Sequence, residues 1–401
     1  MPKVIEALRR FMPAYLSTQP VLSRVQHRAV WALQHCRTLT MGGHVHECPT
    51  CPGQREYGFN SCHHKSCPQC GRAATAEWVQ REQSKLIPAP YFMITFTLPS
   101  ELRGLFFSQE AKAAYDAFFQ ACAATLSQTL AEKKWLGAVI SAFTMVLHTW
   151  NQKMLFHPHL HCIVPAAGLD EHGNYIVVKD ADYLMPADAL KEVLKYHFGQ
   201  QIKALGLSCD PSVWRKKWGV NVQAFGSGEN AVKYLGRYIM RSVIGDSRIL
   251  SITDTHVTFR YLDRSDRNNP RTRILTLSGI EFVRRHLRHV QPAKLRAVRY
   301  YGYHHPAAKK NRQRVQQSSR AAPMIIPPIT PPSDPAALET ENEEPTTAKR
   351  EHLCPCCQQP MKRIARIEPA WKSGLLWLLP MQSRAPPSVP LQITRGGGSL
   401  P

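Results

Sequence analysis

Apolar residues recur at helical spacing through the first 40 positions, at Val4, Leu8, Phe11, Val25, Val30 and Leu33. Pro13 and Pro20 interrupt the run, so it predicts a small helical preamble. Between 41 and 72 this periodicity gives way to crowded Gly, Cys, His and Pro, the composition of a loop-rich module held by metal in place of a core. A helix is expected over 73–86. Tyr91 to Thr97, rich in β-branched and aromatic residues and set between Pro90 and Pro99, predicts a strand. Helical stretches at 101–132, 187–204 and 229–243 surround a strand pair, 142–151 and 159–165, joined by a turn at 153–158. Helices interleaved with an antiparallel pair predict an α+β protein.

The remaining chain differs in composition. From Arg260 to Arg320 there are 16 Lys and Arg against 3 Asp and Glu, a large share of the formal net charge of +22. Such a surplus favours a polyanionic partner. Residues 321–350 combine seven prolines with an acidic patch at 339–344, which reads as a disordered, polyproline-prone linker. The expected organisation is a helical segment at 1–35, a Cys- and His-rich module at 36–90, a mixed helix and strand domain at 91–255, a basic extension at 256–320, the linker at 321–350 and a Cys-containing tail at 351–401. No stretch approaches the roughly 18–20 apolar residues of a membrane span. The first twelve residues carry Glu6, Arg9 and Arg10 and no signal-peptide pattern. The expected location is cytoplasmic.

In a reducing compartment, 12 cysteines with six of them between Cys36 and Cys70 read as metal ligands before disulfides. Cys48/Cys51 and Cys67/Cys70 are two Cys-x-x-Cys knuckles. Each can place two thiolates on one Zn²⁺, and together they would complete a structural tetrahedron with no open position. Cys36, His44, Cys62 and a nearby histidine, His63 or His64, are candidates for a second zinc site, and His46 lies close by. Cys354, Cys356 and Cys357 form half a ribbon beside His352, without an evident second half.

Two further motifs carry chemistry. In His157-Pro158-His159-Leu160-His161 the strand alternation puts His159 and His161 on one face. Two imidazoles on a rigid strand can hold a divalent metal and leave positions open for substrate oxygens. His148, Gln152 and His157 are candidate third ligands, with His148 and Gln152 expected on the neighbouring strand. The second motif is Tyr234 and Tyr238, four apart and so on one helix face, with Lys233, Arg237 and Arg241 around them. Positive charge there lowers the cost of a phenolate and of a bound phosphate. Taken alone, two tyrosines at this spacing are more commonly core or interface residues.

The His-hydrophobic-His strand followed by paired tyrosines resembles the HUH endonucleases. The order of "CRTLTMGGHVHECPTC", "SCHHKSCPQCGR", "PYFMITFTLPSEL", "LHTWNQKMLFHPHLHCIVPAAGL", "AVKYLGRYIMRSVI" and "VRYYGYHH" more closely resembles the two-tyrosine, rolling-circle insertion-sequence transposases with an N-terminal zinc-binding domain. These are kin to the common-region elements and, more distantly, to Helitrons. The resemblance covers about residues 30–305. It implies an HUH palm, an antiparallel sheet with flanking helices, in which His159 and His161 hold Mg²⁺ or Mn²⁺ and Tyr234 or Tyr238 attacks DNA to give a 5′-phosphotyrosine. One departure is Ser66, where family members commonly carry a histidine before the cysteine matching Cys67; His63 or His64 is the expected substitute. The "PAAG" after the strand is also poorer in glycine than the family pattern.

Single-stranded or hairpin DNA at element ends is the substrate the resemblance implies. Arg284, Arg285, Arg288, Lys294, Arg296 and Arg299, near Tyr300, Tyr301 and Tyr303, would supply cations for phosphates and rings for bases. Three other readings compete: a replication initiator or relaxase with the same histidine strand, a non-enzymatic zinc-dependent DNA-binding protein, and an RNA-binding zinc protein.

Overall fold

A computed structural model describes residues 2–108, 110–239, 243–264, 266, 269–321, 352–370 and 393–395; the side chains of 71–76, 234, 235, 237–239 and 393–395 are outside that description. The linker expected at 321–350 lies, apart from Ala321, outside the described residues, as does most of the tail.

The chain opens with α1 (Val4–Ser17) and α2 (Arg24–His35). Ser23 and Gln26 form a capping box that starts α2, with Gln26 N donating to Ser23 Oγ at 3.4 Å and Ser23 N to Gln26 Oε1 at 2.9 Å. Contrary to the expected break, α1 runs through Pro13. An internal proline costs about 3 kcal/mol, and here seven buried side chains from Val4 to Tyr15 offset it. The hairpin β1 (Gly43–Glu47) and β2 (Arg55–Phe59) follows, then α3 (Gly71–Gln83), β3 (Tyr91–Thr97), α4 (Ala111–Ala131), β4 (Ala142–Trp150) and β5 (Phe156–Pro165). A short ribbon, β6 (Ala167–Leu169) and β7 (Tyr175–Val177), leads to α5 (Ala187–Ala204), β8 (Gly219–Gly226) and α6 (Gly228–Ile239). The later elements are β9 (Ile249–Ile252), β10 (His256–Asp263), β11 (Arg271–Ser278), α7 (Gly279–Leu287), β12 (Val298–Gly302), α8 (Lys309–Ala321), β13 (Lys362–Ile367) and β14 (Ile393–Arg395).

The protein is α+β with antiparallel sheets, as the sequence predicts. Its central sheet has the order β12-β4-β5-β3-β8, antiparallel throughout. Strand alternation divides the apolar residues of this sheet between two cores. One face presents Phe92, Ile94, Phe96, Met145, Leu147, Leu160 and Cys162 to Phe118, Phe119 and Leu126 of α4 and Leu190, Leu194 and Phe198 of α5. The other presents Tyr91, Met93, Val146 and Ile163 to Trp78 of α3 and Ala231 and Val232 of α6.

Contacts cross two of the expected domain boundaries. β12, inside the basic 256–320 stretch, is the edge strand beside β4, so this stretch completes the central sheet. β9, β10, β11 and α7 share a core with α1 and α2, through Phe11, Leu33, Phe259 and Phe282. The tail also returns: β13 pairs with β1, whose other edge carries β2. Local periodicity reports none of these joins, because each depends on partners more than 150 residues away.

Candidate functional site

The central sheet sets three histidines side by side. In the β4/β5 register His148 lies opposite His159 and Val146 opposite His161, which puts all three imidazoles on the α3/α6 face. Their candidate ligand nitrogens lie within 4.8 Å of one another. Ring centroids are 5.3 Å apart for His148 and His159, 4.7 Å for His148 and His161, and 4.9 Å for His159 and His161. Leu160, between the two β5 histidines, is fully buried on the opposite face and anchors the strand.

Hydrogen bonds orient the rings. His159 Nδ1 lies 2.6 Å from the His157 carbonyl oxygen, which can only accept, so Nδ1 carries the proton and Nε2 has a free lone pair. His161 Nδ1 lies 3.1 Å from Thr95 Oγ1, on the directly paired residue of β3. Supports of this kind are the usual means of fixing a metal-ligating imidazole. Burial keeps the rings neutral. It pushes His159 down to about 4 against the opposing hydrogen bond to His157, and pushes His148 and His161 well below the ordinary imidazole value, with the neighbouring imidazoles adding to the shift. A neutral imidazole is the metal-binding form.

Among the candidate third ligands, His148 joins the group. His157 instead accepts from Arg103 Nη2 at 3.0 Å through Nδ1. Gln152 lies beyond the end of β4, in the β4/β5 turn, where its carbonyl accepts from Arg248 Nη2 at 2.5 Å. It is not on the neighbouring strand, because β4 ends at Trp150.

Tyr234 and Tyr238 both lie on α6, which packs on the histidine face of the sheet through Ala231 and Val232. The close approach needs Gly228: a Cβ there would lie 2.6 Å from Leu86 and 2.8 Å from the buried ring of Tyr91. The side chains of Tyr234, Arg237 and Tyr238 lie outside the described residues, as does Arg241. Lys233 is exposed and stands 3.7 Å from Glu229.

The cysteines group differently from the expected pairing of knuckles. Cys36, Cys62, Cys67 and Cys70 converge, with all four sulfurs within 4.8 Å. Cys36 and Cys70 are 3.5 Å apart, and Cys62 and Cys70 3.7 Å. Four thiolates about 2.3 Å from one Zn²⁺ would stand about 3.8 Å apart at tetrahedral corners, so the donor set fits zinc. Hydrogen bonds from Cys36, then Cys62 and Cys67, hold the Cys70 thiol far below its ordinary value. Cys48 and Cys51 belong to a separate group, with Cys354 and Cys357. The expected Cys48/Cys51/Cys67/Cys70 site is therefore corrected, because the knuckle nearest in sequence is not the nearest in space. The histidines of the expected second site also stand apart. His64 Nδ1 accepts from Ser66 N at 3.2 Å, His63 bonds Ser61 Oγ at 3.0 Å, and His44 sits on β1 across from Arg366 of β13. Ser66 leaves no gap, since four thiols complete the group without a histidine.

Part of the expected nucleic-acid platform is internal structure. Tyr303 is buried, with its hydroxyl on the Ala167 carbonyl at 3.2 Å; Tyr300 accepts from Trp78 Nε1 at 2.9 Å; Tyr301 stacks on Phe143 at 5.0 Å. Arg284 and Arg285 pair with Glu281 at 2.5 and 2.6 Å, and Arg299 pairs with Asp116. Arg288 is exposed over the Phe107 ring, and Lys294 and Arg296 are also exposed.

A sheet face lined by three imidazoles beneath the helix that bears Tyr234 and Tyr238, together with two four-thiol groups, offers donor sets that could hold metal ions. The chain belongs to the IS91-type transposases. Residues 7–98 match the family "Transposase zinc-binding domain" (Zn_Tnp_IS91), and residues 142–313 match Y2_Tnp, described as "Putative transposase". The chain is 32% identical over 384 residues to "Putative transposase y4qJ" of Sinorhizobium fredii, covering 89% of this chain and 93% of that protein. It is 28% identical over 309 residues to "Transposase for insertion sequence element IS801" of Pseudomonas savastanoi pv. phaseolicola, covering 72% and 73%. No solved structure matches. The matched domain and the cysteine groups support structural zinc, and a transposase binds DNA. Among the described residues no helix is long and apolar enough to cross a membrane.

Proposed function

We propose that this transposase cleaves and rejoins single-stranded or hairpin DNA at the ends of its element, in rolling-circle fashion, using Tyr234 and Tyr238 as nucleophiles on an HUH palm. One observation carries the reading: three neutral imidazoles, His148 buried and His159 and His161 half-buried, share a sheet face with the helix that bears both tyrosines.

His148, His159 and His161 would hold a divalent cation, Mg²⁺ or Mn²⁺, and an all-imidazole set favours Mn²⁺ of the two. When bound, the cation supplies Lewis-acid polarisation of a phosphoryl oxygen. Thr95 and the His157 carbonyl hold the β5 imidazoles through Nδ1, so the ligands need little reorganisation. An ordinary phenol ionises near pKa ~10, so the nucleophile needs positive surroundings, and Lys233, Arg237 and Arg241 are its neighbours in sequence. In the step itself the phenol oxygen bonds to phosphorus and the bond from phosphorus to the 3′ oxygen breaks. The phenol loses its proton and the departing oxygen gains one. A 5′-phosphotyrosine and a free 3′-OH result. One phosphodiester is exchanged for another, so no nucleotide need be hydrolysed. A second tyrosine lets one site hold donor and target strands in succession.

The test is incubation of the full chain with labelled single-stranded DNA from element ends and Mn²⁺ or Mg²⁺, followed by denaturing gels. A covalent band in the wild type, lost in Tyr234→Phe/Tyr238→Phe and in His159→Ala/His161→Ala, is expected. Intact DNA binding without any adduct would replace this reading with a zinc-dependent binding protein.

A further inference from the structure

The second thiol group joins the two ends of the chain. Cys48 and Cys51 meet Cys354 and Cys357 with all four sulfurs within 4.8 Å, and Cys48 and Cys357 are 3.5 Å apart. The two halves are built alike. Cys48 N donates to the Gln54 carbonyl at 3.0 Å and Cys354 N to the Gln359 carbonyl at 2.9 Å, closing a tight turn around each Cys-x-x-Cys. Thr50 N and Cys51 N point at Cys48 Sγ from 3.4 and 3.2 Å, donors suited to a thiolate. Cys356 is exposed and outside the group.

Among the described residues, little apolar core holds this end in place. Around the thiols the buried apolar residues are Cys48, Cys354 and Met361, and the adjoining sheet adds Val45, Ala365 and Ile367. Cores this small do not sustain a fold without a crosslink or metal. Both family matches end before this segment, at residues 98 and 313.

We propose that Cys48, Cys51, Cys354 and Cys357 bind a second structural Zn²⁺, which clasps the segment 352–370 onto the N-terminal module. Each thiol releases its proton to solvent as its sulfur bonds the metal, and no oxidation state changes. The clasp closes a loop from Cys51 to Cys354 that contains the whole central sheet and α6. It also fixes β13, with exposed Lys362, Arg363 and Arg366, against β1. The site is independent of the tyrosine chemistry.

Zinc content of the full chain, read by native mass spectrometry, tests the proposal. The wild type and Cys356→Ser are expected to carry two Zn²⁺ per chain, matching the two thiol groups, and Cys354→Ser/Cys357→Ser one. A protease site inserted within 322–351 gives a second reading that needs no cysteine change. After cleavage the C-terminal fragment should co-elute with the rest of the chain while zinc is bound, and separate on chelation. One Zn²⁺ in the wild type, two in the double variant, or release of the fragment from the zinc-loaded protein would overturn it.

Discussion

Thr95→Val tests whether the histidine cluster is a prepared metal site. The substitution keeps the shape of the side chain and removes the hydroxyl 3.1 Å from His161 Nδ1. His161 remains on β5 between Thr95 of β3 and Val146 of β4, so the backbone has no reason to move. What is lost is the hydroxyl partner that holds the ring through Nδ1. Removing such a support typically costs 10–100-fold in metal affinity, about 1.4–2.7 kcal/mol. The assay titrates Mn²⁺ against covalent adduct formed on single-stranded DNA, with far-UV circular dichroism as a control for folding. The half-saturating Mn²⁺ concentration should rise ~10-fold or more for Thr95→Val and stay near the wild-type value for Thr95→Ser, which keeps the hydroxyl. An unchanged titration for Thr95→Val, with full activity, would refute the claim that this hydrogen bond prepares His161 for a metal.

Further outcomes follow from the same structure. Leu160→Ala removes a fully buried side chain beneath the histidines and should cost about 3 kcal/mol, read as a lower urea midpoint with an unchanged slope. Gly228→Ala puts a methyl against the Tyr91 ring; overpacking of about 1–3 kcal/mol should appear in the melting temperature, with a loss of adduct as α6 is pushed off the sheet. His286, His289 and His304 are buried, and burial pushes them down to about 4, 4 and 3. Between those values and ~6.5 the unfolded chain binds more protons than the folded one, so stability should fall as pH drops from ~6.5 towards ~4. Urea midpoints across that range check the sign, and a flat profile would contradict neutral burial. Cys67→Ser, in the N-terminal thiol group, should lower the zinc content and destabilise the N-terminal module, seen as early proteolysis within 36–98.

Much of the histidine face was legible in the chain. β3 and α5 occupy the stretches that local composition assigns them, and the alternation in His157 to His161 correctly puts His159 and His161 together. His148 could be anticipated because the β4/β5 hairpin is local. The thiol groups were not legible in the same way. Spacing says that Cys48 and Cys51 bind together, but it is silent on a partner 300 residues later that arrives only through β13 pairing with β1. The basic stretch 256–320 is a related case. Charge and aromatic composition do not report direction, and Tyr300, Tyr301 and Tyr303 turn out to be spent on Trp78, Phe143 and the Ala167 carbonyl. Helix α1 carries the same lesson on a smaller scale, since the local preference of Pro13 is overridden by burial of one helix face.

The central claim is that the α6 tyrosines bond DNA beside the histidine cluster. Its most direct test is peptide mapping of the covalent complex after nuclease digestion and proteolysis. A peptide spanning Tyr234 and Tyr238, carrying a 5′-phosphonucleotide on one of those two residues and absent when His159 and His161 are both alanine, is the predicted result. A nucleotide on any residue outside α6, or an adduct that persists unchanged in Tyr234→Phe/Tyr238→Phe, would contradict the account.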